Sequence, residues 1–433
     1  MIRRLVLFED SGWRELRPLT DLLPVPALAF GASTLGERWL DAARLPLLTV
    51  VARGDAMRAW ATPPPFDLEP PQAADEIVAI NASVLPGPWF ETILRGEAPA
   101  LFGQGRRIAC VRADYATLAG GLSRAADFEI FLNDLGLPKR VVETRFIAYS
   151  WNLIEWNAEA ISEDLAGQGG RLLGEVHPLA AVLEPGRVTV EAGARVDPYA
   201  VLDGRGGPIR IEAEARVLPH TVVAGPCVVG SGTQLLGGLV ARSTIGPQCR
   251  IAGEVEECVW QGYANKRHHG FMGHSLIGEW ANLGALTTTS DLKNNYGPVR
   301  VWVDGREVDS GISKVGSLIG AHVKTGIGTL LPTGASVGVG SNLFGGGRFA
   351  PKLVPAFSWW DGERLDEHRL EPFLATARIA MSRRGRTLQP AEETALRGLH
   401  RVTAEERARQ SPIASPGVGS PPALSQRVSP GRA

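Results

Sequence analysis

The chain has 433 residues, 44% hydrophobic and 21% charged, which is too long for one ordinary core and apolar enough to fold as two domains or more. Its 45 Lys+Arg against 46 Asp+Glu leave a net charge of −1, so the basic stripe of a nucleic-acid binder is excluded. No apolar run reaches the ~18 residues of a membrane span and no signal-peptide pattern stands at the N-terminus, so a soluble cytoplasmic protein with neither nucleic acid nor membrane as partner is expected.

Residues 1–155 read as alternating strands and helices. Ile2–Phe8, Leu45–Val51, Ile77–Ile80 and Ile108–Val111 are short apolar runs that suit buried strands, with helical spacing at Thr34–Ala43 and Trp89–Leu94. This order predicts an α/β domain with a largely parallel sheet. A polar linker, 156–171, follows and is helical at its start.

From 172 to 347 an aliphatic residue recurs every six positions. Val217, Val223, Val229 and Leu235 form one ladder, and Ile245 with Ile251 another. Ile277 with Leu283 continues the pattern, as do Ile319, Leu331, Val337 and Leu343, with Thr325 in the gap. Glycine often follows the aliphatic residue. A period of six fits neither helix nor plain strand alternation, and it predicts a left-handed parallel β-helix of hexapeptide coils, each stacking its inward residue on the next. Two stretches interrupt the ladder and are expected as loops expelled from the coils: Cys258–His274, and Ser290–Lys314 with a hairpin at Asp304-Gly305. Residues 348–410 read as a helical segment, with helices at Leu370–Arg384 and Pro390–Arg409. Residues 411–433, rich in Ser, Pro and Gly, are expected to be disordered. The four cysteines show no paired C-x-x-C spacing and read as buried free thiols.

Chemistry concentrates in the first interruption, which holds Lys266, Arg267, His268, His269 and His274. A neutral imidazole is a suitable general base for an amine or hydroxyl nucleophile, and the adjacent cations suit phosphate. Clustered histidines also suit zinc, but no carboxylate or cysteine stands at supporting spacing, so no metal site is expected; a solvated polar loop is the remaining reading. Only six lysines occur in the chain, and Lys266 and Lys293 fall in the two interruptions.

The run Ile277-Gly278-Glu279-Trp280-Ala281-Asn282-Leu283-Gly284-Ala285 resembles the acyltransferase half of the bifunctional N-acetylglucosamine-1-phosphate uridyltransferase family. There the catalytic histidine precedes the motif asparagine by fourteen positions, and counting back from Asn282 lands on His268. The resemblance implies an acyl-CoA co-substrate and an amino-sugar phosphate or nucleotide-sugar acceptor. It implies His268 as base with His269 and His274 as competitors, and Lys266, Arg267, Asn282, Lys293, Asn295 and Tyr296 as substrate contacts. Ala285 and Ser317 would lie near the CoA, and a homotrimer is implied. Phe271 stands where the family has a tyrosine, and Leu286 where it has a glycine.

Arg17-Pro18-Leu19-Thr20 through Pro24-Val25-Pro26 resembles the opening of the sugar-phosphate nucleotidyltransferases, the other half of that family. It implies Arg14, Arg17 and Asn81 as nucleotide contacts, with Mg²⁺ if this half is active. The phosphate loop here reads Phe8-Glu9-Asp10-Ser11-Gly12, the motif lysine is Val25, and Ser83 stands where a magnesium-binding aspartate is expected. Three functions remain open: acyl transfer, sugar-1-phosphate nucleotidyl transfer, and a non-catalytic trimeric scaffold that binds nucleotide sugars.

Overall fold

A computed structural model describes residues 2–410 except 61, 62, 68, 125 and 126. The expected disordered tail, 411–433, lies outside the described residues.

Each apolar run expected in the first part forms a strand. These are β1 (Arg3–Phe8), β2 (Leu47–Val51), β3 (Glu76–Asn81) and β5 (Arg107–Asp114), joined by β4 (Ala100–Gln104) and β6 (Lys139–Val141) in the order β2-β1-β3-β5-β4-β6. The sheet is mixed rather than largely parallel, because β5 runs antiparallel to both β3 and β4. The cause is local. Gly105 and Arg106 alone connect β4 to β5, with Gly105 at φ +59°, and two residues cannot carry a parallel crossover.

Helices cover both faces of this sheet. After α1 (Leu35–Ala43), started by a Thr34–Glu37 capping box, come α2 (Gly54–Ala59) and α3 (Pro88–Arg95), and on one side α1 and α3 bring Trp39 and Phe90 together edge-to-face at 5.1 Å. On the other, Leu118 of α4 (Tyr115–Leu122) and Phe128 and Leu132 of α5 (Phe128–Asp134) cover Val6 and Phe8. After α6 (Asn152–Glu155) the linker is helical at its start, as α7 (Asn157–Asp164).

The second part is a left-handed parallel β-solenoid of about 10 turns over residues 175–360. Its inward residues stack in three columns. One runs Val229, Ile245, Trp260, Ile277, Ile319, Val337, Val354, and all seven are at most 1% exposed. A second runs Leu235, Ile251, Lys266, Leu283, Thr325, Leu343, Trp360. Val223, Val240, Val255 and Met272 belong to the third. Thr325 fills its place by sharing a 2.6 Å hydrogen bond with Thr287 Oγ1.

Only one of the two interruptions leaves the coil. Ser290–Lys314 is expelled and carries the expected hairpin, Arg300–Val303 against Arg306–Asp309 around Asp304 and Gly305. Cys258–His274 is instead an ordinary coil, with strands Val259–Trp260, Asn265–Lys266 and Phe271–Gly273. The six-residue spacing persists there through Trp260, Lys266 and Met272. Only the aliphatic character is lost.

The coils also run past the expected boundary at 347, through strands Leu353–Val354 and Ser358–Trp360. Then follow α8 (Leu370–Ser382), α9 (Pro390–Val402) and α10 (Ala404–Gln410). The single helix expected over Pro390–Arg409 is broken at Thr403, whose hydroxyl donates back to the Leu399 carbonyl at 2.8 Å. One solenoid face, with Val259, Leu276 and Leu318 pointing outward, shares a core with Leu16, Leu28 and Phe30 of the first part and Val301 and Val303 of the hairpin.

Candidate functional site

His268 and His269 occupy the turn between the inward residues Lys266 and Met272, and both are exposed. Neither ring has a hydrogen-bond partner among the described residues, while the turn's backbone is held firmly. Lys266 Nζ donates to the His268 carbonyl at 2.7 Å, and Leu286 N donates to the His269 carbonyl at 2.8 Å. Gly270 sits at φ +133°, and a Cβ there would lie 2.3 Å from the Thr287 carbonyl oxygen. The turn thus offers free imidazoles on a fixed frame, as a general base requires.

Lys266 does not meet the expectation of a substrate contact. It is fully buried at an inward position, where burial pushes its ammonium down to about 8, and it acts on the turn from inside the solenoid. His274 is not free either. Its Nδ1 lies 2.8 Å from Asp291 Oδ2 and its Nε2 3.5 Å from Glu257 Oε2, and Glu257 in turn pairs with Arg242 at 2.8 Å. Against the upward push of burial, the His274 hydrogen bond and charge hold the Asp291 carboxyl below its ordinary range. This chain of charges ties successive coils together along one corner.

Asn282 is exposed on a ladder set by strand register: Arg250, Asn265, Asn282, Lys324, each one position before an inward residue. Asn265 Nδ2 donates to Asn282 Oδ1 at 2.6 Å. The ladder floors a cleft of about 450 Å³ that Arg267 also lines, with α8 as its far wall. Lys293, Asn295 and Tyr296 lie in the expelled loop and do not line this cleft. Lys293 Nζ donates to the Pro298 carbonyl at 2.9 Å, Asn295 Oδ1 accepts from Gly297 N at 3.1 Å, and Tyr296 is exposed. Ala285 is half-buried at a corner, and Ser317 is fully buried with its amide donating to Ser275 Oγ at 2.9 Å, so its side chain offers no surface to a cofactor.

The nucleotide contacts expected in the first part are already engaged. Asn81 is fully buried, its Nδ2 donating to Asp10 Oδ2 and the Ile108 carbonyl, its Oδ1 accepting from Ser83. Asp10 also accepts from Arg107 Nε and Nη2, both at 2.9 Å, and from Gly12 N at 3.1 Å. Glu9 accepts from Arg53 Nε at 2.8 Å and from Val25 N at 3.1 Å. The arginines thus satisfy the two acids that replace the phosphate loop's glycines. Neither acid keeps the open carboxylate edge a Mg²⁺ ion needs, so these residues do not fit that ion. Arg17 turns away to Asp21 at 2.6 Å and to Glu406 of α10 at 2.8 Å, and Arg14, exposed, lies over Trp13.

The cleft residues missed from sequence divide in two. Arg250 and Lys324 stand in the same register as Asn282, one place before Ile251 and Thr325, so the six-residue spacing carried the signal. Arg383 and Arg384 directly follow α8, and no local pattern places that helix against the coil.

Residues 5–169 match the family model described as "Sugar nucleotidyl transferase". The chain is 33% identical over 108 residues, 25% of its length and 26% of the relative's, to the "Bifunctional sugar-1-phosphate nucleotidylyltransferase/acetyltransferase" of Sulfurisphaera tokodaii. It is 38% identical over 71 residues, 16% of its length and 17% of the relative's, to a "Bifunctional protein GlmU" of Methanocaldococcus jannaschii. A protein of the same description from Methanococcus maripaludis is 26% identical over 252 residues, 58% of this chain and 51% of that one. The matched segments therefore span from about a sixth to half the length of these relatives. Residues 5–169 are thus similar to the sugar nucleotidyl transferases, and up to about three fifths of the chain is similar to bifunctional nucleotidyltransferase/acetyltransferase proteins.

Proposed function

We propose that this chain is a transferase of sugar-nucleotide metabolism whose chemistry is acyl transfer at the solenoid, with the first domain retained as a non-reactive partner. The observation that carries the reading is the contrast between the two halves. Asp10, Glu9, Asn81 and Ser83 are closed on Arg107, Arg53 and each other, while His268, unpaired among the described residues, stands on a fixed turn of the coil whose polar face carries the Asn282 cleft. In the proposed reaction His268 accepts the proton of an amino-sugar amine as that nitrogen attacks the thioester carbonyl of an acyl-CoA. The C–S bond breaks, an amide forms, and the CoA thiolate leaves and takes up a proton.

An apolar column of Leu286, Ile327, Phe344 and Phe349, each more than half exposed, begins beside the His269 turn and supports a neighbouring copy there, in keeping with the trimer the resemblance implies. The second reading, nucleotidyl transfer by the first domain, is favoured by the family match over 5–169. The two are told apart by products. Acyl transfer from acetyl-CoA to glucosamine phosphate releases a thiol, and nucleotidyl transfer from an NTP and a sugar phosphate with Mg²⁺ releases pyrophosphate. Thiol release without pyrophosphate supports the first reading, and the reverse sinks it.

A further inference from the structure

We propose that the cleft between the solenoid's polar face and helix α8 is a phosphate-binding site, one wall of which α8 supplies. The site deepens the acyl-transfer reading by naming the chemistry of its substrate, a phosphate-bearing ligand. Its evidence is independent of that reaction.

Five cations line the cleft: Arg250 and Lys324 from the ladder, Arg267 from the turn beside His268, and Arg383 and Arg384 at the end of α8. Among the described residues no carboxylate lines it. That absence is unusual in this molecule, where arginines elsewhere pair extensively with Asp and Glu, both across the first domain and between α8 and α9. Among the described residues none of the five forms a salt bridge. Arg250 Nη1 spends its hydrogen bonds on the Gly232 and Cys249 carbonyls at 3.0 and 2.8 Å, and Lys324 Nζ donates to the His322 carbonyl at 3.4 Å. Arg384 Nε is buried and has no partner among the described residues.

Such a cluster is costly when empty. Burial, and then repulsion from Arg384 and Arg267, lowers Arg250; burial, and then Arg383 and Arg267, lowers Arg384; burial pushes Lys324 down to about 8. Cations brought together in a partly dry cleft without counter-charge are stabilised by an anion. The guanidinium forks suit the paired oxygens of a phosphate or diphosphate. The polar middle of the cleft, Asn265 and Asn282, supplies neutral donors and acceptors for what the phosphate is attached to. The Tyr263 ring, stacked on Trp280 at 4.4 Å, adds an apolar wall at the same end.

The site spans two parts of the chain that no local motif connects. Its ladder half follows from coil register, and its α8 half lies outside both the sugar nucleotidyl transferase match over 5–169 and the coils. On this account α8 does more than cap the solenoid, because it closes the anion site from above.

Inorganic pyrophosphate is the direct probe. Isothermal titration of the full chain in 0.15 M salt, with Trp280 adding a fluorescence readout, should give saturable binding. Arg383→Gln/Arg384→Gln should weaken it at least tenfold with an unchanged thermal melt, and Lys324→Gln, an independent variant from the opposite wall, should weaken it as well. His268→Ala should bind as the natural chain does. No saturable binding by the natural chain overturns the proposal, and so does equal binding by folded forms of both cleft variants. Pyrophosphate binding that survives when no acyl transfer is found leaves this site standing and removes only the reaction assigned to His268.

Discussion

Lys266→Met isolates the most unusual residue of the solenoid core. The lysine lies between Ile251 and Leu283 in a column of otherwise apolar residues and Thr325, fully buried, and its ammonium is pushed from 10.5 to about 8. At ~1.4 kcal/mol per unit, that displacement places a penalty of about 3 kcal/mol on the charged form in the folded state. Methionine has nearly the same volume and no charge. It also gives up the hydrogen bond to the His268 carbonyl, worth about 1 kcal/mol, so the net expectation at pH 7 is a stabilisation of about 2 kcal/mol.

The pH dependence is the sharper test, and its sign follows from the direction of the shift. With the folded value below the unfolded one, the penalty is fully present below pH 8. Between pH 8 and 10.5 the folded chain has released the proton and the unfolded chain has not, so the natural protein gains stability as pH rises. The variant lacks this slope, and its advantage should shrink by about 2 kcal/mol between pH 7 and 9.5. Guanidinium unfolding followed by circular dichroism at both pH values measures it. A stability difference that does not change with pH would refute the reasoning.

Arg17→Ala should lower stability by about 3 kcal/mol, because it strips the partner from Asp21, which is 9% exposed and whose carboxyl burial already pushes up. Glu406→Gln, at the more exposed end of the same contact, should cost no more than about 1 kcal/mol, so equal thermal melts for the two variants would contradict the assignment. Gly270→Ala places a Cβ 2.3 Å from the Thr287 carbonyl oxygen at φ +133°, so a loss of about 2 kcal/mol or more is expected, with acyl transfer falling as the His268 turn shifts. A fully active, equally stable alanine variant would show that the turn is not held as described.

The solenoid was legible because its physics is local: one inward residue in six, repeated until the ladders stand in phase. The same criterion failed at Cys258–His274, where Trp260, Lys266 and Met272 keep the spacing and drop the aliphatic character, so a regular coil reads as a loop. In the first domain the strands were visible as apolar runs. Their direction was not, since a buried strand looks alike in parallel and antiparallel neighbours, and only the two-residue connection before β5 decides it. His268 and Asn282 came from the resemblance carried by Ile277–Ala285, with His268 also standing in a run rich in histidine and cations. Arg17, by contrast, owes its role to Glu406, a residue 389 positions away, and the α8 half of the cleft depends on tertiary packing in the same way.

The central claim is that reactivity resides in the solenoid and has left the first domain. It is tested most directly by measuring thiol release from acetyl-CoA with an amino-sugar phosphate, for the natural chain and for His268→Ala, alongside pyrophosphate release from an NTP with a sugar phosphate and Mg²⁺. The account predicts thiol release that falls by at least a hundredfold in His268→Ala, consistent with loss of a general base, and no pyrophosphate from either protein. Pyrophosphate release, or thiol release unchanged by the substitution, would contradict it.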